Sequence, residues 1–366
     1  MTAERTIPPH GPGEMEPLFP STASRVMLQF RAQLLRATRA FFDSRGFIEV
    51  DTPLLSHDRV IDPHLEPFAC LPAERLDIGA NRAEPSRGAR SIRPLYLQTS
   101  PEFAMKRLLA AGMPAIYQLG KVFRARERGS RHNPEFTMLE WYQSGDTHWG
   151  AMHLTEALVR ELHRVAVESA MISATLPGLL STSFPVTTYA QAFERVYGVA
   201  VHSLNGLALR ELCDRHEISV PAGISHDDRD TLLNLLLAEK IEPTLGASQP
   251  EFLVDYPPTQ AALAKVRAED PPVAERFELY WQGLELCNGY HELTDPVELR
   301  RRIEIESQRR AQDGLPPLPV ENRLLEAMER GLPDCAGNAL GFDRLMMRLV
   351  GATRIDDVIP FPVERA

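Results

Sequence analysis

Three short stretches of this chain hold side chains whose types and spacing could do chemistry. Phe123-Arg124 is followed by Arg131-His132-Asn133-Pro134-Glu135-Phe136, so cations gather at both ends of a connection that also contains Gly129. Beyond it the residues alternate, and in a strand Phe136, Met138, Glu140 and Tyr142 share one face while Thr137, Leu139 and Trp141 share the other. A carboxylate, a phenol and an aromatic plate then stand together. The second stretch is Glu285-Leu286-Cys287-Asn288-Gly289-Tyr290-His291-Glu292-Leu293, with Glu278 ahead of it. Carboxylates among Leu284, Leu286 and Leu293 cannot be buried as isolated charges, so they require a cation, either a metal or an amine. The third stretch is Gly337-Asn338-Ala339-Leu340-Gly341-Phe342-Asp343-Arg344-Leu345. An arginine in the first turn of a helix opposes the macrodipole unless an anion sits there, and close backbone approach at Gly341 fits a phosphate. Each feature also has a plainer explanation: Glu140 in water with Arg124 in a surface pair, a solvated sheet edge, and Arg344 against a neighbouring carboxylate. Spacing indicates no Ser/His/Asp arrangement and no cysteine nucleophile.

These side chains must be positioned by regular elements. Apolar residues recur at near-helical spacing from Ser24 to Arg45, with Gly46 as a stop, and a short strand follows over Phe47 to Val50. Cys70 to Pro94 reads as an exposed loop and Leu95-Tyr96-Leu97 as a strand. A helix is expected over Pro101 to Ala111. Ala115 to Arg124 and Glu135 to Gln143 form an antiparallel pair with a long connection. His153 to Val167 is helical in pattern, and residues 176–272 read as a helical insertion or flanking segment. Strands are expected over Phe252 to Tyr256, Phe277 to Trp281 and Leu284 to Tyr290. A helix begins at Asp295-Pro296-Val297-Glu298 and runs to Gly314. Leu340 to Leu349 brings a glycine turn into a last helix.

The balance of 40 basic against 50 acidic residues gives a net charge of −10, which argues against an extended phosphate-backbone binder. No run of residues is apolar enough for a membrane span, and Met1 to Arg5 does not begin a signal peptide. Cys70, Cys213, Cys287 and Cys335 lie far apart, which fits free thiols in a reducing, cytoplasmic setting with neither a disulfide nor a structural zinc. Residues 1–21, rich in proline, read as a flexible leader, and 22–366 as one domain.

Taken together, the three stretches resemble the catalytic domain of class II aminoacyl-tRNA synthetases. Arg45-Gly46-Phe47-Ile48-Glu49-Val50-Asp51-Thr52-Pro53-Leu54 is similar to the first motif of that class, Phe123-Arg124 to Phe136 to the second, and Gly341-Phe342-Asp343-Arg344 to the third. Thr99-Ser100-Pro101-Glu102, the run from Arg131 to Glu140, and Asn288-Gly289 to Glu292-Leu293 resemble the lysine branch in particular. The resemblance implies an α/β (α+β) domain, an antiparallel β-sheet flanked by helices, and a homodimer formed through the first-motif helix. It implies catalytic roles for Arg124 and Arg344, with Arg124 on the ATP α-phosphate and the substrate carboxylate and Arg344 on the γ-phosphate. Arg126, His132, Asn133, Phe136, Glu285, Leu286 and Gly341 complete the implied ATP site, Phe136 by stacking on adenine. Glu278 and Glu285 are implied magnesium ligands. Ser100, Glu102, Glu140, Tyr142, Asn288, Glu292 and Ala339 are implied to hold the amino acid, Glu102 taking one amine and Glu140, Tyr142 and Glu292 the other.

Only about 20 residues precede the first helix, too few for the anticodon-binding barrel of a lysyl-tRNA synthetase, so tRNA is disfavoured as acceptor. The chain resembles instead the ligases that attach (R)-β-lysine to a lysine of translation elongation factor P. Ala339, where the tRNA enzymes carry glycine, is a feature shared with those ligases. One departure stands out: the family's Phe-Arg-x-Glu is here Phe123-Arg124-Ala125-Arg126, with Glu127 next. The resemblance leaves three activities in view: ligation of β-lysine or lysine to elongation factor P, ligation to tRNA or a small amine, and a catalytically silent amino-acid sensor.

Overall fold

Ser24 accepts a hydrogen bond from the Met27 amide and so caps α1 (Arg25–Asp43), whose Phe30, Leu34, Phe41 and Phe42 form a buried stripe. Gly46 ends the segment with φ of 77°, a conformation that glycine adopts without strain. The computed structural model describes residues 19–60, 65–70, 94–171, 182–225, 227–312 and 319–366. Most of the expected leader and nearly all of the expected loop from Cys70 to Pro94 lie outside them. Thr22 is already tied down, its amide donating to the Pro360 carbonyl at 2.9 Å.

The chain continues through β1 (Ile48–Glu49), β2 (Leu55–Ser56), β3 (Ala69–Cys70), β4 (Leu95–Leu97), α2 (Glu102–Ala110), β5 (Ala115–Phe123), β6 (Glu135–Ser144) and α3 (His148–Glu168). Then come β7 (Val186–Thr188), α4 (Tyr189–Tyr197), α5 (Gly206–Arg215), α6 (Arg229–Leu236), β8 (Glu251–Tyr256), β9 (Val266–Arg267) and β10 (Val273–Trp281). The last elements are β11 (Leu284–His291), α7 (Pro296–Gln312), α8 (Arg323–Gly331), β12 (Cys335–Gly341) and α9 (Phe342–Val350). The main sheet runs in the order β1-β5-β6-β12-β11-β10-β8-β7, with β9 paired to β10; β2, β4 and β3 form a small separate sheet. The five pairings from β5 to β8 are all antiparallel, and only the edge strands β1 and β7 pair parallel.

Two expectations need correction. The segment 176–272 is helical only in its middle: α4, α5 and α6 bury their own core, whereas β7 and β8 extend the main sheet. And the residues before the last helix are a strand, β12, in the middle of the sheet between β6 and β11. Its sequence, Cys-Ala-Gly-Asn-Ala-Leu-Gly, lacks large alternating residues because there is no room for them. A Cβ on Gly337 would lie 2.3 Å from the Tyr142 ring and 2.7 Å from Glu292.

One face of the sheet is covered by α1, α3 and α9, with Phe42 stacked on Tyr117 at 4.7 Å. On the other face two smaller cores stand apart, one under α4 to α6 and one under α2, α7 and α8. The central strands β6, β12, β11 and β10 carry the cavity on that same face. Behind it, buried Asp343 accepts from Arg31 at 2.5 Å and from the Thr137 amide at 2.8 Å, so α1, β6 and α9 are locked together next to Arg344.

Candidate active site

The period-two alternation of β6 delivers Phe136, Met138, Glu140 and Tyr142 to one cavity of about 250 Å³. β11 and the residue after it add Glu285, Leu286, Asn288, Tyr290 and Glu292, β10 adds Arg276 and Glu278, and β12 adds Gly337, Ala339 and Gly341. Ser100 and Glu102 close one end; Arg124, His132, Asn133 and Arg344 close the other.

The acidic end is a cage of fixed hydrogen bonds. Ser100 donates to Glu140 Oε2 at 2.8 Å and accepts from the Glu102 amide at 3.0 Å, while the Tyr142 hydroxyl donates to Glu140 Oε1 at 2.6 Å. Lys106, which the motif reading missed, sits inside this cage. Its Nζ lies 2.5 Å from Glu102 Oε1 and 2.5 Å from Glu292 Oε2, with the Tyr142 ring beside it. Two of the three glutamates expected to take the substrate amines, Glu102 and Glu292, are thus already bridged by an internal amine. The signal was present in the sequence, because Glu102 and Lys106 are four apart on a helix and must share a face.

Three buried carboxylates against one ammonium leave the cage short of positive charge. Burial, and then Glu102, push the Glu140 carboxyl up to about 7; burial likewise pushes Glu292 up to about 8 against the pull of Lys106. Burial works against the Lys106 ammonium, but Glu102 and Glu292 more than offset it and hold it firmly charged. Ala339 faces this region from β12, paired with Glu140 on one side and Asn288 on the other. Asn288 is held by Arg276 at 3.2 Å and donates to the Tyr290 hydroxyl at 3.0 Å.

The cationic end is looser. The Arg124 guanidinium lies 5.1 Å from the Phe136 ring and 3.4 Å from Glu127, and its buried Nε has no hydrogen-bond partner among the described residues. Arg344 donates to the Glu285 carbonyl at 3.1 Å and stands 3.4 Å from its carboxylate. Its other nitrogen donates to His132 Nε2 at 2.5 Å. Burial, then Arg344, hold His132 below its ordinary value, so the ring is neutral and accepts that bond. The Asn133 side chain is spent locally, donating to the Glu135 carbonyl and accepting from the Val363 amide.

Arg126, expected at the ATP site, is exposed and does not line the cavity; Glu127 does, beside Arg124. The hairpin turns the fourth position of the motif outward and the fifth inward. Gly341 is also not where the backbone is crowded: a Cβ there would meet only Arg344, at ordinary distances of 3.5 Å and more. Of the glycines on β12, Gly337 rather than Gly341 is the one the packing demands.

Glu278 accepts from the Tyr280 hydroxyl at 2.6 Å and is paired with Arg276. Burial and Glu278 push the Glu285 carboxyl upward. Glu242, from the connection after α6, joins them: burial, then Glu278 and Glu285, push it up to about 7. Such a group of carboxylates has the oxygen donors a hard divalent cation takes, and the raised values show positive charge to be lacking there. Arg276, Glu278, Glu285, Asn288 and Tyr290 are shared with a second cavity of about 580 Å³, which opens between the α6 region and α7.

The arrangement can hold a cationic amino acid by its amines at one end and a polyphosphate at the other, with Arg124 and the Glu278–Glu285 carboxylates between them. Comparison with known proteins gives the family. Residues 19–365 match the family of class II tRNA synthetases (D, K and N). The elongation factor P–(R)-β-lysine ligase of Vibrio cholerae serotype O1 is 43% identical over 350 residues, 94% of this chain and 98% of that protein. Those of Edwardsiella ictaluri and Salmonella arizonae are 43% and 41% identical, covering 92% and 94% of this chain and 94% and 97% of their own lengths. This chain belongs to the elongation factor P–(R)-β-lysine ligase family, within the class II (D, K and N) synthetases.

Proposed function

We propose that this chain activates (R)-β-lysine with ATP and transfers it to a lysine of elongation factor P. The observation that carries the reading is the charge-deficient cage of Glu102, Glu140 and Glu292 around a single Lys106, set across one cavity from the cations Arg124 and Arg344. A diamino acid supplies the missing positive charge, and its carboxylate is then directed towards the other end.

In the first step a carboxylate oxygen attacks the α-phosphorus of ATP and pyrophosphate leaves, giving a bound aminoacyl-adenylate. Arg124 neutralises charge on the α-phosphate and the substrate carboxylate, and Arg344, steadied by neutral His132, takes the γ-phosphate. Phe136 offers its face to adenine. Magnesium, held by Glu278 and Glu285, would supply further charge neutralisation on the phosphates. In the second step the neutral ε-amine of the acceptor lysine attacks the adenylate carbonyl, forming an amide and releasing AMP. Glu127 beside Arg124 supports an active enzyme despite the Arg126 departure, since a carboxylate still stands at that end of the site.

Elongation factor P rather than tRNA is the acceptor in this reading, and the enzyme works as a cytoplasmic homodimer. Among the described residues no helix is long and apolar enough to cross a membrane. The apolar stripe of α1 is used in the core, but Ile48 and Leu54 in the first-motif segment and Leu55 just after it remain exposed and supply apolar surface for a partner subunit. Intact-mass analysis of elongation factor P after incubation with this protein, magnesium-ATP and either (R)-β-lysine or α-lysine tests the reading. The expected result is a gain of one lysyl residue, larger with β-lysine. Pyrophosphate release without any gain would reject the acceptor, and charging of tRNA would replace it.

A further inference from the structure

On the face of the sheet away from the cavity, three side chains that the ligase reaction does not use converge. His148 opens α3, Glu275 lies on β10 and His291 ends β11, and one ligand atom from each lies within 4.8 Å of the others. We propose that His148, Glu275 and His291 form a binding site for a zinc-class divalent ion.

His148 is 2% exposed, and neither of its ring nitrogens has a hydrogen-bond partner among the described residues. A neutral imidazole carries one donor and one acceptor, and interiors seldom leave both unmet. The His148 ring lies 6.3 Å from that of His291, nearly parallel to it.

His291 is oriented as metal-binding histidines are. Its Nδ1 lies 2.5 Å from Glu275 Oε2, on the inner side of the triad, while Nε2 lies 2.9 Å from Asp334 Oδ1. Nδ1 and Glu275 share a hydrogen bond whose proton a bound ion would displace, and Asp334 can then hold the ring proton on the outer nitrogen while the inner one ligates. The nearby cations stand outside. Lys265 pairs with Asp334 and lies 3.2 Å from His291 Nε2, and Arg267 lies 3.5 Å from the other oxygen of Glu275. Two imidazoles and one carboxylate select zinc-like ions over magnesium or calcium, and water can take a fourth position. Such an ion would clamp the start of α3 to β10 and β11, one residue before Glu292 enters the amine cage from the opposite face. The expectation of no structural zinc rested on cysteine spacing, and these ligands are far apart in sequence and contain no cysteine.

The test is zinc titration of the full-length protein, stripped with chelator, against a competing zinc dye in excess magnesium. One equivalent is expected to bind and to raise the thermal midpoint. His148→Gln and Glu275→Gln should each abolish that equivalent, Asp334→Ala should weaken it by on the order of tenfold or more, and His132→Gln in the cavity should leave it intact. If His148→Gln does not fold, Glu275→Gln, close in shape and less buried, decides the matter. The site is rejected if the wild type holds no more zinc than Glu275→Gln, or if the bound equivalent is lost with His132→Gln instead.

Discussion

At the amine end of the cavity Glu102, Glu140 and Glu292 are each less than a tenth exposed and each is gripped by Ser100, Tyr142 or Lys106 at hydrogen-bond or ion-pair distances of 2.5 to 2.8 Å. At the phosphate end Arg124 and Arg344 reach carboxylates only at 3.4 Å, and Arg124 Nε is unmet. The difference follows from what each end must bind. A small ammonium group is discriminated by a fixed cage of carboxylates, since a loose cage would fill with water. A triphosphate that loses pyrophosphate during the reaction needs cations that can follow the charge. An arginine already locked in a short buried pair would have to break it first.

If the internal lysine is what makes the amine end rigid, Lys106→Met should be the most damaging change. Removing one partner from buried ion pairs leaves Glu102 and Glu292 uncompensated, at a cost of ~3–5 kcal/mol of stability. Denaturant unfolding checks this, and an unchanged midpoint would show that the cage does not depend on Lys106. Arg124→Ala probes the other end. It should leave folding intact and slow adenylate formation by about 100- to 1,000-fold, read as pyrophosphate exchange, because the charge it stabilises develops only during the reaction. Near-wild-type exchange would move the α-phosphate elsewhere.

Glu292→Gln separates the two ends within one enzyme. Losing a charged hydrogen-bond partner worth ~1.5–3 kcal/mol should raise KM for the amino acid while KM for ATP stays nearly constant. Parallel rises in both would mean that the ends are not independent. The same separation should appear with pH. Burial holds the Glu140 and Glu292 carboxyls up at about 7 and about 8 before substrate binds, so a cationic substrate arriving at pH 6 is expected to displace protons as it binds. The KM for β-lysine should therefore fall as pH rises from 6 to 8.5, and a flat profile would contradict the charge deficit. The smallest effect is expected from Ala339→Gly. Removing one methyl between Glu140 and Asn288 should shift preference towards α-lysine by no more than ~1–3 kcal/mol, measured as a ratio of kcat/KM values.

Much of the site was legible because it is built from local periodicities. The alternation of Phe136, Met138, Glu140 and Tyr142 holds because strand geometry alone sends them to one face, and all four line the cavity. The long helix from Ser24, the strand ends around Arg124 and Phe136, and the helix that begins at Pro296 are likewise present near their expected limits. Residues 335–341 were not legible, because a central strand with strands on both sides and a ligand cavity on one face is selected for smallness rather than for alternation. Arg126 and Glu127 were legible as a departure but not as an orientation, since a turn decides which of two neighbours faces inward.

What the sequence by itself determined is therefore the set of elements and the chemical types at each end of the site, since both depend on residues a few positions apart. The tertiary structure alone decided how charges are shared: that Lys106 bridges Glu102 to distant Glu292, that Glu242 joins Glu278 and Glu285, and that Gly337 rather than Gly341 is the β12 glycine the packing requires. The physical reason is that burial and ion pairing arise between residues remote in the chain, and their energies exist only once the strands that carry them lie side by side.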